Sequence, residues 1–321
     1  GYVSDGGWVC TDDGTDEGIE VSAENQITLA LGQHVSCEIV NRDVAPTLTL
    51  VKKVNNAHGG TLSPEDVLLT ATGPGDNIVE GYTTDEGGVT ATVDAGDYTL
   101  SEESVPGYDA SNWVCEGNAT ALEGDVLSLG VGENVTCTIT NSDQAAHLTL
   151  VKNVVNDDGG TATVADFPLS ADGPVPFTGV SGTDDVTSVA VAAGSYELTE
   201  EALVGGYAAG EWVCTGDGEQ NGSSIALALG ENATCTITND DIAPTLTLNK
   251  VVRNEHGGTL DIGGVTLTAA LTERDTDAVQ LNGTDPSVSE DIGLSGTVPA
   301  GSYVLTESEH AGYAASVWVC S

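Results

Sequence analysis

One block of this sequence returns about every 100 residues, a domain-sized period and not a solenoid-sized one. Tyr2, Tyr108, Tyr207 and Tyr313 each follow a glycine and lead into Trp-Val-Cys, at Trp8–Cys10, Trp113–Cys115, Trp212–Cys214 and Trp318–Cys320. Further on, a second cysteine sits in the run Ser36-Cys37-Glu38-Ile39-Val40-Asn41, and in Thr-Cys-Thr-Ile-Thr-Asn at 136–141 and 234–239. A few residues later "LTLVK" or "LTLNK" opens the next unit. The 321 residues therefore divide into 1–42, the C-terminal part of a repeat; 45–142 and 145–240, two complete repeats; and 245–321, the N-terminal part of a further one. The links are short, and Asp43–Pro46 and Asp240–Pro244 carry a proline, which predicts domains stacked end to end.

Within 45–142 the strand signals fall at 47–54, 66–72, 77–83, 89–93, 97–103, 112–116, 126–129 and 135–141, separated by turn residues such as Gly59-Gly60 and Asp94-Ala95-Gly96. Long apolar helical periods are missing. The expected class is all-β, with tandem β-sandwich domains.

The chain carries 7 Lys plus Arg against 50 Asp plus Glu, a formal charge of −43. That balance argues against nucleic-acid partners, which need clustered cations, and against an anionic membrane surface. No apolar run approaches the ~20 residues of a membrane helix, so no membrane insertion is expected. Without a methionine or a signal peptide, the chain reads as a processed product or an excerpt of something longer. The densest acidic cluster, Asp12-Asp13-Gly14-Thr15-Asp16-Glu17, lacks the alternating ligands and spaced glutamate of a calcium loop. Turn chemistry in a hairpin accounts for it, and no metal or cofactor is assigned.

All seven cysteines occupy the two repeated positions. Cys10–Cys37, Cys115–Cys137 and Cys214–Cys235 pair within units, which leaves Cys320 without a partner. No CxxC or zinc spacing is present. Disulfides place the chain in an oxidising compartment outside the cell, as a secreted, surface or filament protein; buried free thiols are the alternative.

Alternation makes the lysines conspicuous. In Pro46-Thr47-Leu48-Thr49-Leu50-Val51-Lys52-Lys53, a strand aims Lys52 the same way as Leu48 and Leu50, into the core. Lys52, Lys152 and Lys250 share one repeat position and are three of the four lysines; Lys53 faces the other way. Glu102, Glu200 and Glu307 recur on the face of the preceding tyrosine in "YTLSE", "YELTE" and "YVLTE". Asn141, Asn239 and Asn41 recur on the face of the second cysteine. A lysine, a glutamate and an asparagine aimed into one core need one another, because unpaired buried charge is costly.

The combination of "LTLVK", "YTLSEESVPGY" and "TCTITN" resembles the prealbumin-like domains of bacterial surface proteins, the collagen-adhesin B-repeat and pilin class, over essentially the whole chain. The resemblance implies a prealbumin/immunoglobulin-like sandwich. It also implies an intramolecular isopeptide bond from the opening-strand lysine to the closing-strand asparagine, assisted by the glutamate. The implied sets are Lys52, Glu102, Asn141 and Lys152, Glu200, Asn239, with partial sets at Lys250, Glu307 and at Asn41. A buried ion pair with the asparagine beside it is the other reading of the same residues.

No nucleophile or metal-ligand motif accompanies His34, His58, His147, His256 and His310, so no turnover enzyme is expected. The sequence reads as an extracellular stalk or fibre whose partners are further copies of the same repeat. The alternative is an adhesin or ligand-binding surface protein contacting a host, a surface or calcium, through segments such as 73–88, 173–188 and 272–292. Asn118, Asn134, Asn221, Asn232 and Asn282 match the glycan-acceptor pattern.

Overall fold

The computed structural model describes residues 1–84, 87–117, 121–272, 279–284 and 293–321. Asn118 and parts of the segments 73–88 and 272–292 lie outside the described residues. Two compact units are present, Gly1–Ala146 with Ala228–Gly230, and His147–Leu227 with Glu231–Ser321.

In the first unit, residues 45–142 form two facing sheets. One carries the strands Tyr108–Ala110, Asn134–Asp143, Thr47–Asn55 and Val89–Thr92 in that order, with Val114–Gly117 also paired to Asn134–Asp143. The other runs Ala121–Glu123, Val126–Leu129, Gly96–Glu102, Leu68–Thr72, Ile78–Tyr82. Leu48, Leu50 and Ile139 from the first meet Leu69, Leu100 and Leu127 from the second in one core. The expected strands form, and two short ones join them at Tyr108–Ala110 and Ala121–Glu123. The strand expected from residue 66 begins at Leu68, because Pro64–Asp66 makes a 3-10 turn whose Asp66 accepts the Ser63 N–H.

The opening strand Thr47–Asn55 and the closing strand Asn134–Asp143 are neighbours and run parallel, in register from Thr47↔Asn134 to Asn55↔Ser142. In the repeat 145–240, Ala146–Val155 and Asn232–Asp241 show the same arrangement, from His147↔Asn232 to Val155↔Asp240. Its facing sheet runs Phe177–Gly179, Leu169–Asp172, Gly194–Glu200, Ser224–Leu227, Glu219–Asn221. Between these two strands the chain passes back and forth between the sheets, so no hairpin joins them and parallel pairing is open to them.

The flanking pieces bury less. Among residues 1–42 the strands Tyr2–Ser4 and Asn41–Asp43 pair, as do Gly18–Ile19, Val9–Asp12 and Val35–Glu38. Residues 245–321 pair Thr245–Leu248 with Leu294–Thr297, and Thr266–Leu271 with Val279–Thr284 and Tyr303–Glu307. Trp113 and Trp212 are buried, whereas Trp8 and Trp318 are exposed.

Candidate functional site

Period-two alternation in the opening strand buries Leu48, Leu50 and Lys52 and exposes Lys53. The same alternation turns Val135, Cys137, Ile139, Asn141 and Asp143 of the closing strand inward. In Gly96–Glu102 it turns Tyr98 and Leu100 inward and brings Glu102 to the strand's end. Lys52 pairs laterally with Ile139, so Asn141 lies two residues beyond it on the neighbouring strand. The facing sheet supplies Glu102, whose carboxylate meets Lys52 Nζ in an ion pair. The lysine side chain has no exposed surface and the glutamate's is 10% exposed.

The second unit shows the geometry most fully. Lys152 Nζ lies 2.9 Å from Glu200 Oε2. Asn239 Nδ2 donates to Glu200 Oε1 at 2.8 Å. One carboxylate thus spans the amine and the carboxamide nitrogen. The Lys152–Glu200 approach is an ion-pair distance without hydrogen-bond direction, so neither Lys152 Nζ nor Glu200 Oε2 has a directed partner. Asn141 Oδ1 and Asn239 Oδ1 are likewise buried without a donor. Burial pulls Lys52 and Lys152 below the usual lysine value, against the opposing pull of the Glu102 and Glu200 carboxylates. Lys152 Nζ also sits 5.0 Å from the centroid of the Phe167 ring. Val67 holds that place in the first unit. The backbone N–H groups of Lys52 and Lys152 are held by Thr83 Oγ1 at 3.3 Å and Ser181 Oγ at 2.9 Å.

The partial sets are looser. Lys250 pairs with Glu307, with side chains 20% and 18% exposed. Asn41 lies exposed opposite Ser4 in a two-stranded pair.

Three disulfides join Cys10–Cys37, Cys115–Cys137 and Cys214–Cys235, each between directly opposed residues of an antiparallel pair. Cys320 is free and exposed.

Sequence reading missed a second recurring constellation. Asp143, buried at the closing strand's end, accepts the N–H groups of Ala57 at 2.8 Å, His58 at 2.6 Å and Gly60 at 2.9 Å. Asp241 takes those of Asp158 at 3.0 Å and Gly160 at 2.5 Å. The repeat tyrosine completes the lock. Tyr108 donates to Asn56 Oδ1 at 2.7 Å and accepts from the Leu62 N–H at 3.1 Å. Tyr207 does the same with Asn156 and Ala162, and Tyr313 with Asn254 and Leu260. The Gly-Tyr and His-Gly-Gly repeats carried this signal, but nothing local says that they meet.

Two acidic clusters among the described residues are partly engaged by protein donors. Asp157, Asp158 and Asp241 bring their oxygens within 4.8 Å of one another, yet Asp241 is held by the backbone donors just named. Asp12 accepts from the Gly14 N–H at 2.9 Å and from Gln33 Nε2 at 2.7 Å, which accounts for part of the acidic cluster at 12–17.

A family profile described as a prealbumin-like fold domain matches residues 43–139, 143–237 and 241–321. Among solved structures, the chain is similar to the Bacillus anthracis TIE protein, at 15% identity and a TM-score of 0.49 over 98% of this chain and 63% of that one. The C-terminal fragment of the pilus adhesin SpaC from Lactobacillus rhamnosus GG is similar at 15% identity and a TM-score of 0.35, over 62% of this chain and 99% of that one. The major pilin from Streptococcus pyogenes is similar at 15% identity and a TM-score of 0.30, over 63% of this chain and 100% of that one. The chain thus spans less than two thirds of the length of the Bacillus anthracis protein. No curated protein matches it. No helix among the described residues is long and apolar enough to cross a membrane.

Proposed function

The chain belongs to the prealbumin-like fold domain family, and from that premise we propose that it is an extracellular structural stalk or filament segment of tandem repeats, with 45–142 and 145–240 as complete units, each closed by a Lys–Asn isopeptide bond. The protein acts on itself once and turns over no substrate. Its partners are further copies of the repeat, on a cell surface or in a filament.

The observation that carries this reading is the Glu200 carboxylate, with one oxygen 2.9 Å from Lys152 Nζ and the other accepting from Asn239 Nδ2. An amine without water around it loses its proton readily and becomes a nucleophile. Glu200 Oε2 takes one proton from the ammonium and the neutral Nζ attacks the carboxamide carbon; the second proton that Nζ sheds passes to Nδ2, and the C–Nδ2 bond breaks as the Nζ–C amide bond forms. The departing ammonia carries off the carboxyl's proton as ammonium, which returns Glu200 to its carboxylate. Glu102 serves Lys52 and Asn141 in the same way.

The bond would tie the opening strand to the closing one, the two strands that continue into neighbouring repeats. Tension would then run from Lys52 to Asn141 through a covalent bridge, leaving residues 53–140 unloaded. Intact mass tests it. Each bond removes one ammonia, about 17 Da, so two sets remove about 34 Da beyond the disulfide hydrogens. A mass equal to the disulfide-bonded sequence leaves a buried ion pair in place of the bond.

A further inference from the structure

The proposed isopeptide bonds leave the two core disulfides mechanically idle. Cys115 and Cys137 both lie inside the stretch that a Lys52–Asn141 bridge would shield, and Cys214 and Cys235 lie inside the Lys152–Asn239 stretch. Nor does the disulfide help much by shortening the loop that brings lysine to asparagine. Its span of 22 residues is about a quarter of that loop, which changes closure by only about 1.5-fold.

Register is the larger effect. Cys137 stands directly opposite Cys115, with Cα atoms 4.0 Å apart, and opposite Leu50 on its other side. Asn141 is four residues further along the same strand, on the same face. A one-residue slip of the closing strand would send Cys137 and Asn141 to the outer face together. A two-residue slip would carry Asn141 about 6.6 Å along the strand, beyond reach of an amide bond. The strand that bears Cys115 is anchored in turn, because the adjoining Trp113 is packed into the core. Cys214 opposite Cys235, beside buried Trp212, repeats every part of this.

Resting on the isopeptide reading above, we propose that Cys115–Cys137 and Cys214–Cys235 are positioning crosslinks that close first and hold Asn141 and Asn239 in the reactive register, so that oxidation gates amide formation. Two thiols pass two electrons and two protons to a disulfide-bonded donor of the thiol-exchange class, which becomes a dithiol. Amide formation then follows with release of ammonia.

The test uses the full chain, produced and purified reduced, then divided between continued reductant and oxidised glutathione. Intact mass and peptide mapping follow each Lys–Asn bond with time. A second chain carrying Cys214→Ala and Cys235→Ala keeps the first repeat as an internal control, and near-ultraviolet circular dichroism compared with and without Trp212→Phe in each chain reports the burial of Trp212. The oxidised repeats are expected to lose ammonia at least about tenfold faster than the reduced ones, the cost of a misplaced reacting group. In the variant, Lys152–Asn239 slows by that factor while Lys52–Asn141 keeps its rate and the fold signal persists. Equal rates, or bonds complete in the reduced chain at purification, overturn the gating. Loss of the fold signal in the variant repeat overturns it too, since the disulfide would then support the fold and not the register. Absence of ammonia loss from the oxidised wild type instead refutes the isopeptide reading itself.

Discussion

Asn239 donates its carboxamide N–H to Glu200 at 2.8 Å, although the two come from facing sheets. The other oxygen of that carboxylate faces Lys152. The nitrogen that would leave and the nitrogen that would attack therefore share one proton-carrying group, and removing that group should affect both chemistry and stability.

Glu200→Ala is expected to abolish ammonia loss from the 145–240 repeat while leaving the first repeat unchanged. It also strands Lys152 without its counter-charge, which costs about 3–5 kcal/mol for a buried pair broken from one side. Peptide mapping reads the first effect and denaturant unfolding the second.

The buried lysines predict an alkaline signature when the amide is blocked. In an Asn141→Ala chain, Lys52 has a folded pKa below its ordinary 10.5 because burial outweighs Glu102. The unfolded chain then binds more protons between the two values, so stability rises with pH up to about 10.5 and levels off above it. Tyr98 works the other way, since burial and Asp94 raise its pKa above 10.0 and stability falls as the unfolded phenol ionises first. The difference in unfolding free energy against pH between Asn141→Ala and the same chain with Lys52→Met isolates the lysine. A flat difference would refute the assignment.

Asp143 predicts an acid signature. Burial pulls its carboxyl up, but the N–H groups of Gly60, His58 and Ala57 together outweigh burial and hold it below the usual 3.8. Its contribution is therefore present above that value and is lost as pH falls through the lower folded pKa. Asp143→Ala removes this acid limb and costs about 2 kcal/mol by leaving backbone donors unpaired. Acid titration of unfolding checks both.

Gly60 lets the tyrosine lock close. A Cβ there would lie 2.1 Å from the Tyr108 hydroxyl. Gly60→Ala should displace the ring and free both Asn56 and the Leu62 N–H, at about 2–3 kcal/mol. Tyr108→Phe removes the hydroxyl alone and should cost about 1 kcal/mol. A smaller loss for Gly60→Ala than for Tyr108→Phe in thermal unfolding would contradict the lock.

The disulfides should matter most before any amide forms. In the Asn239→Ala chain, Cys214→Ala with Cys235→Ala is expected to cost about 3 kcal/mol, the chain-entropy value for a loop of this length. Chemical denaturation of the second repeat measures it.

Much of this protein is determined by short-range pattern. The period of two decides which face each residue takes, so the inward turn of Lys52, Glu102 and Asn141 was legible in the chain itself, as was the recurrence of the cysteines. Alternation does not say which strand lies beside which. The parallel pairing of Thr47–Asn55 with Asn134–Asp143, and the facing of Gly96–Glu102 across the core, are long-range choices settled by how two sheets jointly bury their apolar faces. Only that packing sets the lysine, the glutamate and the asparagine around one point. It also brings Asp143 and Tyr108 onto the loop that ends at Gly60, a contact invisible in sequence because a carboxylate and a glycine turn carry no mark of their distant partner.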